Sequence, residues 1–178
     1  MQPDQAKFLA ETYLGHLNME HRATTRVISG VPADHADYKP DPKCMSALDL
    51  AWHLGSSELW FLNGVVTGAF VPPEDGKTPE NIKSGADAAA HYEQEFPAAI
   101  EKVKAMSGED LAKPVSFFGV FNFPAVEYLG FAIRHSVHHR GQLSAYLRPM
   151  GSKVPQIYGG SADEPFEHAA AAEGASGD

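Results

Sequence analysis

Only one cysteine, Cys44, stands in the 178 residues. An internal disulfide is therefore excluded, and so is a zinc site built from thiolates, so any metal site must rest on histidine and carboxylate. Basic residues are also scarce, with 14 Lys+Arg against 23 Asp+Glu and a formal net charge of -9. That field repels a phosphate backbone, and no basic stripe offsets it locally, which argues against a nucleic-acid partner. No window approaches the ~20 apolar residues of a membrane span. The start, Met1-Gln-Pro-Asp-Gln5, has neither the basic opening nor the apolar run of a signal peptide. A cytoplasmic location without membrane contact is the expectation. What remains is a globular composition, 43% hydrophobic and 21% charged, at a length that suits one domain with a real core.

Local signals divide the chain into four long helices. Pro3 suits a first turn, and Ser29-Gly30 marks a stop; between them Leu9, Tyr13, Leu17, Thr24 and Val27 recur every three or four residues. Glu20 and His21 fall at the two edges of that stripe. Ser46-Ala-Leu-Asp49 is a capping-box pattern that opens a second helix running to about Gly68, and Ser84-Gly-Ala-Asp87 opens a third that stops near Ser107-Gly108. Pro97 should kink the third around Phe96. A Pro/Gly-rich loop, residues 71–79, separates the second and third helices. Residues 115–123, aromatic and β-branched around Gly119, read as a short extended excursion. Pro124 then starts a fourth helix that ends at Gly151. Four helices with two long connections describe an all-α four-helix bundle with at least one crossover, spanning residues 1–166. The last stretch, 167–178, has too little bulk to pack and reads as a flexible tail.

Among nine histidines, three sit in His135-Ser-Val-His-His-Arg-Gly-Gln142. His135 and His139 are four apart, so on a helix they project from one face about one turn from each other, a spacing that lets two imidazoles share an ion. His138 points about 80° away and is left out. Tyr128, Ala132, Gln142, Leu143 and Tyr146 share the face of the pair, which should look into the bundle. His53, in Leu-Ala-Trp-His53-Leu-Gly of the second helix, is the best third ligand. Ser56, Ser57 and Trp60 follow it on its own face, small residues beside an aromatic wall that leave room for a ligand.

Spacing alone leaves plainer readings open. A histidine on an apolar face is usually a satisfied core residue, and a bare HxxxH arises often by chance. Cys44 is a semi-buried filler. Glu20 and His21 are edge-of-core residues or, on the functional reading, proton-handling catalytic groups. Arg140 and Gln142 tie the fourth helix to its neighbours.

The run His135-Ser-Val-His-His-Arg-Gly-Gln-Leu143, with Leu48-Asp-Leu-Ala-Trp-His53 and Pro155-Gln-Ile-Tyr-Gly-Gly-Ser-Ala-Asp-Glu164, resembles the DinB-like superfamily from the first helix to about Pro165. The resemblance implies a four-helix bundle, commonly dimeric, with a metal held by one histidine of the second helix and the HxxxH pair of the fourth. Residue by residue that set is His53, His135 and His139. The superfamily is also similar to thiol-dependent transferases and isomerases, which implies a low-molecular-weight thiol as a partner of the small-molecule substrate.

A three-histidine site leaves a divalent ion its full charge and one or two open positions. Nitrogen ligands suit zinc or nickel among others. The expected function is a metal-dependent enzyme of the transferase or hydrolase type, the ion activating a thiol or water. The competing expectation is a bundle that binds metal or a small ligand without turning it over.

Overall fold

A computed structural model describes residues 1–73 and 77–166. The long elements are α1 (Pro3–Ser29), α2 (Ala47–Thr67), α3 (Gly85–Lys104) and α5 (Glu127–Leu147), with a short α4 (Gly108–Ala112) and two strands, β1 (Pro114–Phe117) and β2 (Phe121–Pro124). A single 3₁₀ turn, Ala33–His35, lies between α1 and α2. Residues 74–76 of the expected loop and the expected tail from residue 167 onward lie outside the described residues.

The caps behave as the chemistry of their side chains requires. The Ser46 hydroxyl accepts the Asp49 backbone N–H at 3.1 Å and donates to the Asp49 carboxylate at 2.6 Å, while Ser84 and Asp87 form the reciprocal box that starts α3. Gly68 closes α2 in the left-handed region, φ 69°, where a side chain would be strained. α3 continues past Pro97 to Lys104, and Ser107 is the N-cap of α4, accepting the Asp110 N–H at 3.0 Å, where a helix stop was expected.

The boundaries of the last helix also differ from expectation, for a readable reason. β1 and β2 pair antiparallel from Phe117↔Phe121 out to Pro114↔Pro124, and the N–H groups of Ala125 and Val126 donate to the carbonyls of Lys113 and Leu111. Pro124 is thus the last residue of β2, opposite Pro114, and helix begins only at Glu127. At the other end Pro149 offers no N–H to continue the ladder. The chain turns through Gly151, φ 75°, with Ser152 N–H on the Leu147 carbonyl.

In the bundle, α2 packs on α3 and α5, α1 packs on α3 and α5, and α1 meets α2 less extensively. The circuit is therefore α1, α3, α2, α5, and the α1–α2 connection crosses the bundle, as the reading of a crossover requires. Gly55 lets α2 approach α3 closely, since a Cβ there would stand 3.2 Å from that of Tyr92. Leu17, Ile28, Leu50, Leu54, Leu62, Leu129, Leu143 and Leu147 are fully buried and supply much of the hydrophobic stabilisation. No helix among the described residues is long and apolar enough to cross a membrane.

Candidate metal centre

The α2–α5 contact, the most extensive in the bundle, carries the three histidines. One ligand atom of each of His53, His135 and His139 lies within 4.8 Å of the other two. The ring centroids are 5.0 Å apart for His53–His135, 4.6 Å for His53–His139 and 4.4 Å for His135–His139. His138 is exposed and outside the set, as its angle on the helix implied. Among the described residues no Asp, Glu or Cys completes a fourth position of the cluster.

Neighbouring groups orient two of the rings. His53 Nδ1 is 3.1 Å from the Ser57 hydroxyl, and His139 Nδ1 is 3.1 Å from Gln142 Oε1. The amide oxygen only accepts, so His139 carries its proton on Nδ1 and keeps a lone pair on Nε2; the same tautomer fits His53 donating to Ser57. Such partners on the outer nitrogen are the usual support of a metal-ligating histidine. The Nδ1 of His135 is buried without a hydrogen-bond partner among the described residues. Burial holds all three imidazoles below the ordinary histidine value. For His135, burial first and then the neighbouring histidines push it down to about 3. Three neutral imidazoles facing one another fit a divalent cation, because the form that binds metal is already the stable one at neutral pH.

The pair does not look into the centre of the bundle, contrary to the reading of its helical face. The fully buried line of α5 is Tyr128, Ala132, Ser136, Arg140 and Leu143, and His135 and His139 sit half-buried on its flank toward α2. His135 and His53 line a cleft of about 950 Å³ whose walls include Trp52, Trp60, Phe61, Phe117, Phe118 and Phe131 from α2, the hairpin and α5.

A model of the DinB family matches residues 3–170. The chain belongs to the DinB family. Two curated relatives from Bacillus subtilis (strain 168) share its sequence over much of their length. Uncharacterized protein YjoA is 27% identical over 160 residues, 86% of this chain and 96% of the relative. Uncharacterized protein YrdA is 29% identical over 116 residues, 65% and 67% respectively. Crystal structures of DinB-like proteins share the fold. YjoA superposes with a TM-score of 0.67 at 22% identity, covering 82% of this chain and 97% of that one. A protein from Bacillus cereus ATCC 10987 gives 0.70 at 24%, covering 83% and 97%. Family and cluster together are compatible with metal binding at His53, His135 and His139.

Glu20 and His21, the expected proton-handling pair, lie away from the cleft. Glu20 forms an ion pair with Arg140 and accepts from the Tyr158 hydroxyl at 2.9 Å. His21 is stacked on Phe96, 4.1 Å between centroids, between α1 and α3, with its Nε2 buried and unpartnered. Burial holds His21 below the ordinary histidine value, and Glu93 partly offsets this.

Sequence reading missed a buried polar network beside the cluster. Glu58, 1% exposed, accepts hydrogen bonds from the hydroxyls of Tyr92 on α3 and Ser136 on α5. Arg140, also 1% exposed, donates to Thr24 at 3.1 Å, to the Glu20 carbonyl at 3.3 Å and to Tyr158. A signal existed: Glu58 continues the spacing Ala51, Leu54, Glu58, Leu62, and Arg140 continues Ala132, Ser136, Arg140, Leu143. A charge on an apolar stripe marks a buried partner.

Proposed function

We propose that this DinB-family chain is a divalent-metal-dependent enzyme in which His53, His135 and His139 hold one zinc or nickel ion and a thiol or water acts as nucleophile. The observation that carries the reading is the cluster itself: three neutral imidazoles, one with an orphaned buried nitrogen and two lining a large cleft, without a fourth His, Cys, Asp or Glu among the described residues. When bound, a divalent ion supplies Lewis acidity that makes water or a thiol nucleophilic near neutral pH. The chain's own residues do the rest. Ser57 and Gln142 fix the rings of His53 and His139, and the aromatic walls keep water from the reacting face. The chemistry is that of a thiol transferase or a hydrolase, acting on a small molecule in the cytoplasm, without nucleic acid or membrane and as a homodimer. A low-molecular-weight thiol is the co-substrate that the family likeness favours.

Metal content tests the site. Purified protein should carry about one ion per chain, and His53→Ala, His135→Ala and His139→Ala should each lose most of it while His138→Ala keeps it. Equal loss in all four variants, or none, would show that the ligand set is wrong.

A further inference from the structure

Six Trp and Phe rings, those of Trp52, Trp60, Phe61, Phe117, Phe118 and Phe131, line the cleft beside the histidines, together with polar and small side chains such as Ser56, Asn63 and His91. Trp60 is tilted against Phe70 at 5.1 Å, and Phe118 lies parallel to it, 10° between planes. Phe117 stacks on Phe61 at 6°. Phe118 is 50% exposed and held at φ 52°, in the left-handed region, so the hairpin presents a bulky ring to the cleft at a cost in backbone energy. Large aromatic surface left open in a concavity marks a place for an apolar ligand.

Several polar groups beside the aromatic rings are occupied. Trp60 Nε1 donates to the Val71 carbonyl at 2.6 Å, so the indole turns its face and not its N–H to a ligand. The Ser57 hydroxyl is engaged with His53. The Asp49 carboxylate receives Ser46 at 2.6 Å and Thr78 at 2.7 Å. Charged side chains of α3, Glu95 and Lys102, stand at the outer rim and are exposed. Recognition against the rings therefore falls to dispersion and ring stacking, with the histidine cluster as a polar anchor at the end of the cleft's aromatic wall.

Resting on the reading of a metal at the three histidines, we infer that the substrate is an aromatic small molecule with a single metal-binding head group, its ring lodged among Trp60, Phe61, Phe117 and Phe118. A compact polar molecule of the same head group leaves those faces wet and binds more weakly. Burying a fused ring against them should tighten binding about thirty-fold over a head group alone.

Both tryptophans of the chain, Trp52 and Trp60, line the cleft, so their fluorescence reports on it directly. Zinc-loaded protein is titrated with 2-naphthalenethiol and with 2-mercaptoethanol, by calorimetry and by tryptophan quenching. The expected result is tighter binding of the aromatic thiol by tenfold or more, with quenching. Phe118→Gly, which the backbone at φ 52° accepts, and Trp60→Leu should each cut that preference several-fold with zinc content unchanged. Equal affinity for the two thiols overturns the inference while leaving the metal reading intact. If the protein retains no zinc, the metal reading fails and the cleft is judged alone with naphthalene on metal-free protein: quenching that Phe118→Gly weakens upholds the aromatic class, and its absence overturns it.

Discussion

Replacing Glu58 by glutamine probes the network that sets α2 against α5, and its outcome should depend on pH in a definite direction. The Glu58 carboxyl is buried, accepts from Tyr92 and Ser136, and is held above the ordinary glutamate value of 4.5 chiefly by its burial, with the two hydrogen bonds and Arg140 opposing. A raised value in the folded state means that the folded chain binds the proton more tightly than the unfolded chain. The stability this confers is full below 4.5 and is lost as pH rises through the folded value. Glutamine does not titrate. The wild type should therefore exceed Glu58→Gln in stability by about 1 to 2 kcal/mol near pH 5, the cost of one poorly matched buried hydrogen bond. The gap should narrow toward pH 8, at no more than about 1.4 kcal/mol per pH unit for one proton. Glu58→Ala, which strands both hydroxyls and opens a cavity, should cost about 3 to 5 kcal/mol. Urea unfolding followed by circular dichroism, at half-unit steps from pH 5 to 8, measures all three proteins. A gap that stays constant or widens with pH would refute the reasoning about Glu58.

Three further outcomes are expected. His21 is held below the ordinary value of 6.5 by burial, so the stability is full above 6.5 and is lost as pH falls from there through the lower folded value; His21→Phe should flatten the fall in urea midpoint between pH 7 and 5. Chelation of the metal-loaded protein should leave the helical circular dichroism signal at 25 °C while lowering the melting temperature, because the leucine core is independent of the histidines and a bound ion adds stability only by mass action. Light scattering at micromolar concentration should give about twice 19.2 kDa, and a mass near 19.2 kDa would count against the homodimer.

The helices, the extended excursion and the common face of the HxxxH pair were legible because each rests on short-range chemistry. Ser46 and Ser84 cap because a hydroxyl one turn before a carboxylate satisfies early N–H groups wherever it occurs. The i, i+4 spacing of His135 and His139 fixes their common direction before any tertiary contact. The misplaced start of α5 came from strand pairing: Pro124 lies opposite Pro114 at the end of β2, which no local pattern around Pro124 reveals. The orientation of the pair was misjudged for a similar reason. Tyr128, Ala132 and Leu143 mark the apolar side of α5, but the centre of that side is Ser136 and Arg140, whose burial depends on Glu58, Thr24 and Tyr158 from distant parts of the chain. The aromatic walls were half visible, since Trp60 follows His53 on one helix face. That the hairpin would bring Phe117 and Phe118 to the same cleft required the fold.

The most direct measurement is an anomalous-difference map from crystals of the purified protein, with data taken on both sides of the zinc and nickel absorption edges. The expected result is one peak about 2.0 to 2.2 Å from a ring nitrogen of each of His53, His135 and His139, with at least one remaining position turned to the aromatic cleft and filled by a non-protein ligand. No peak at the three histidines, or a peak whose shell is closed by a fourth protein side chain, would contradict a catalytic metal centre there.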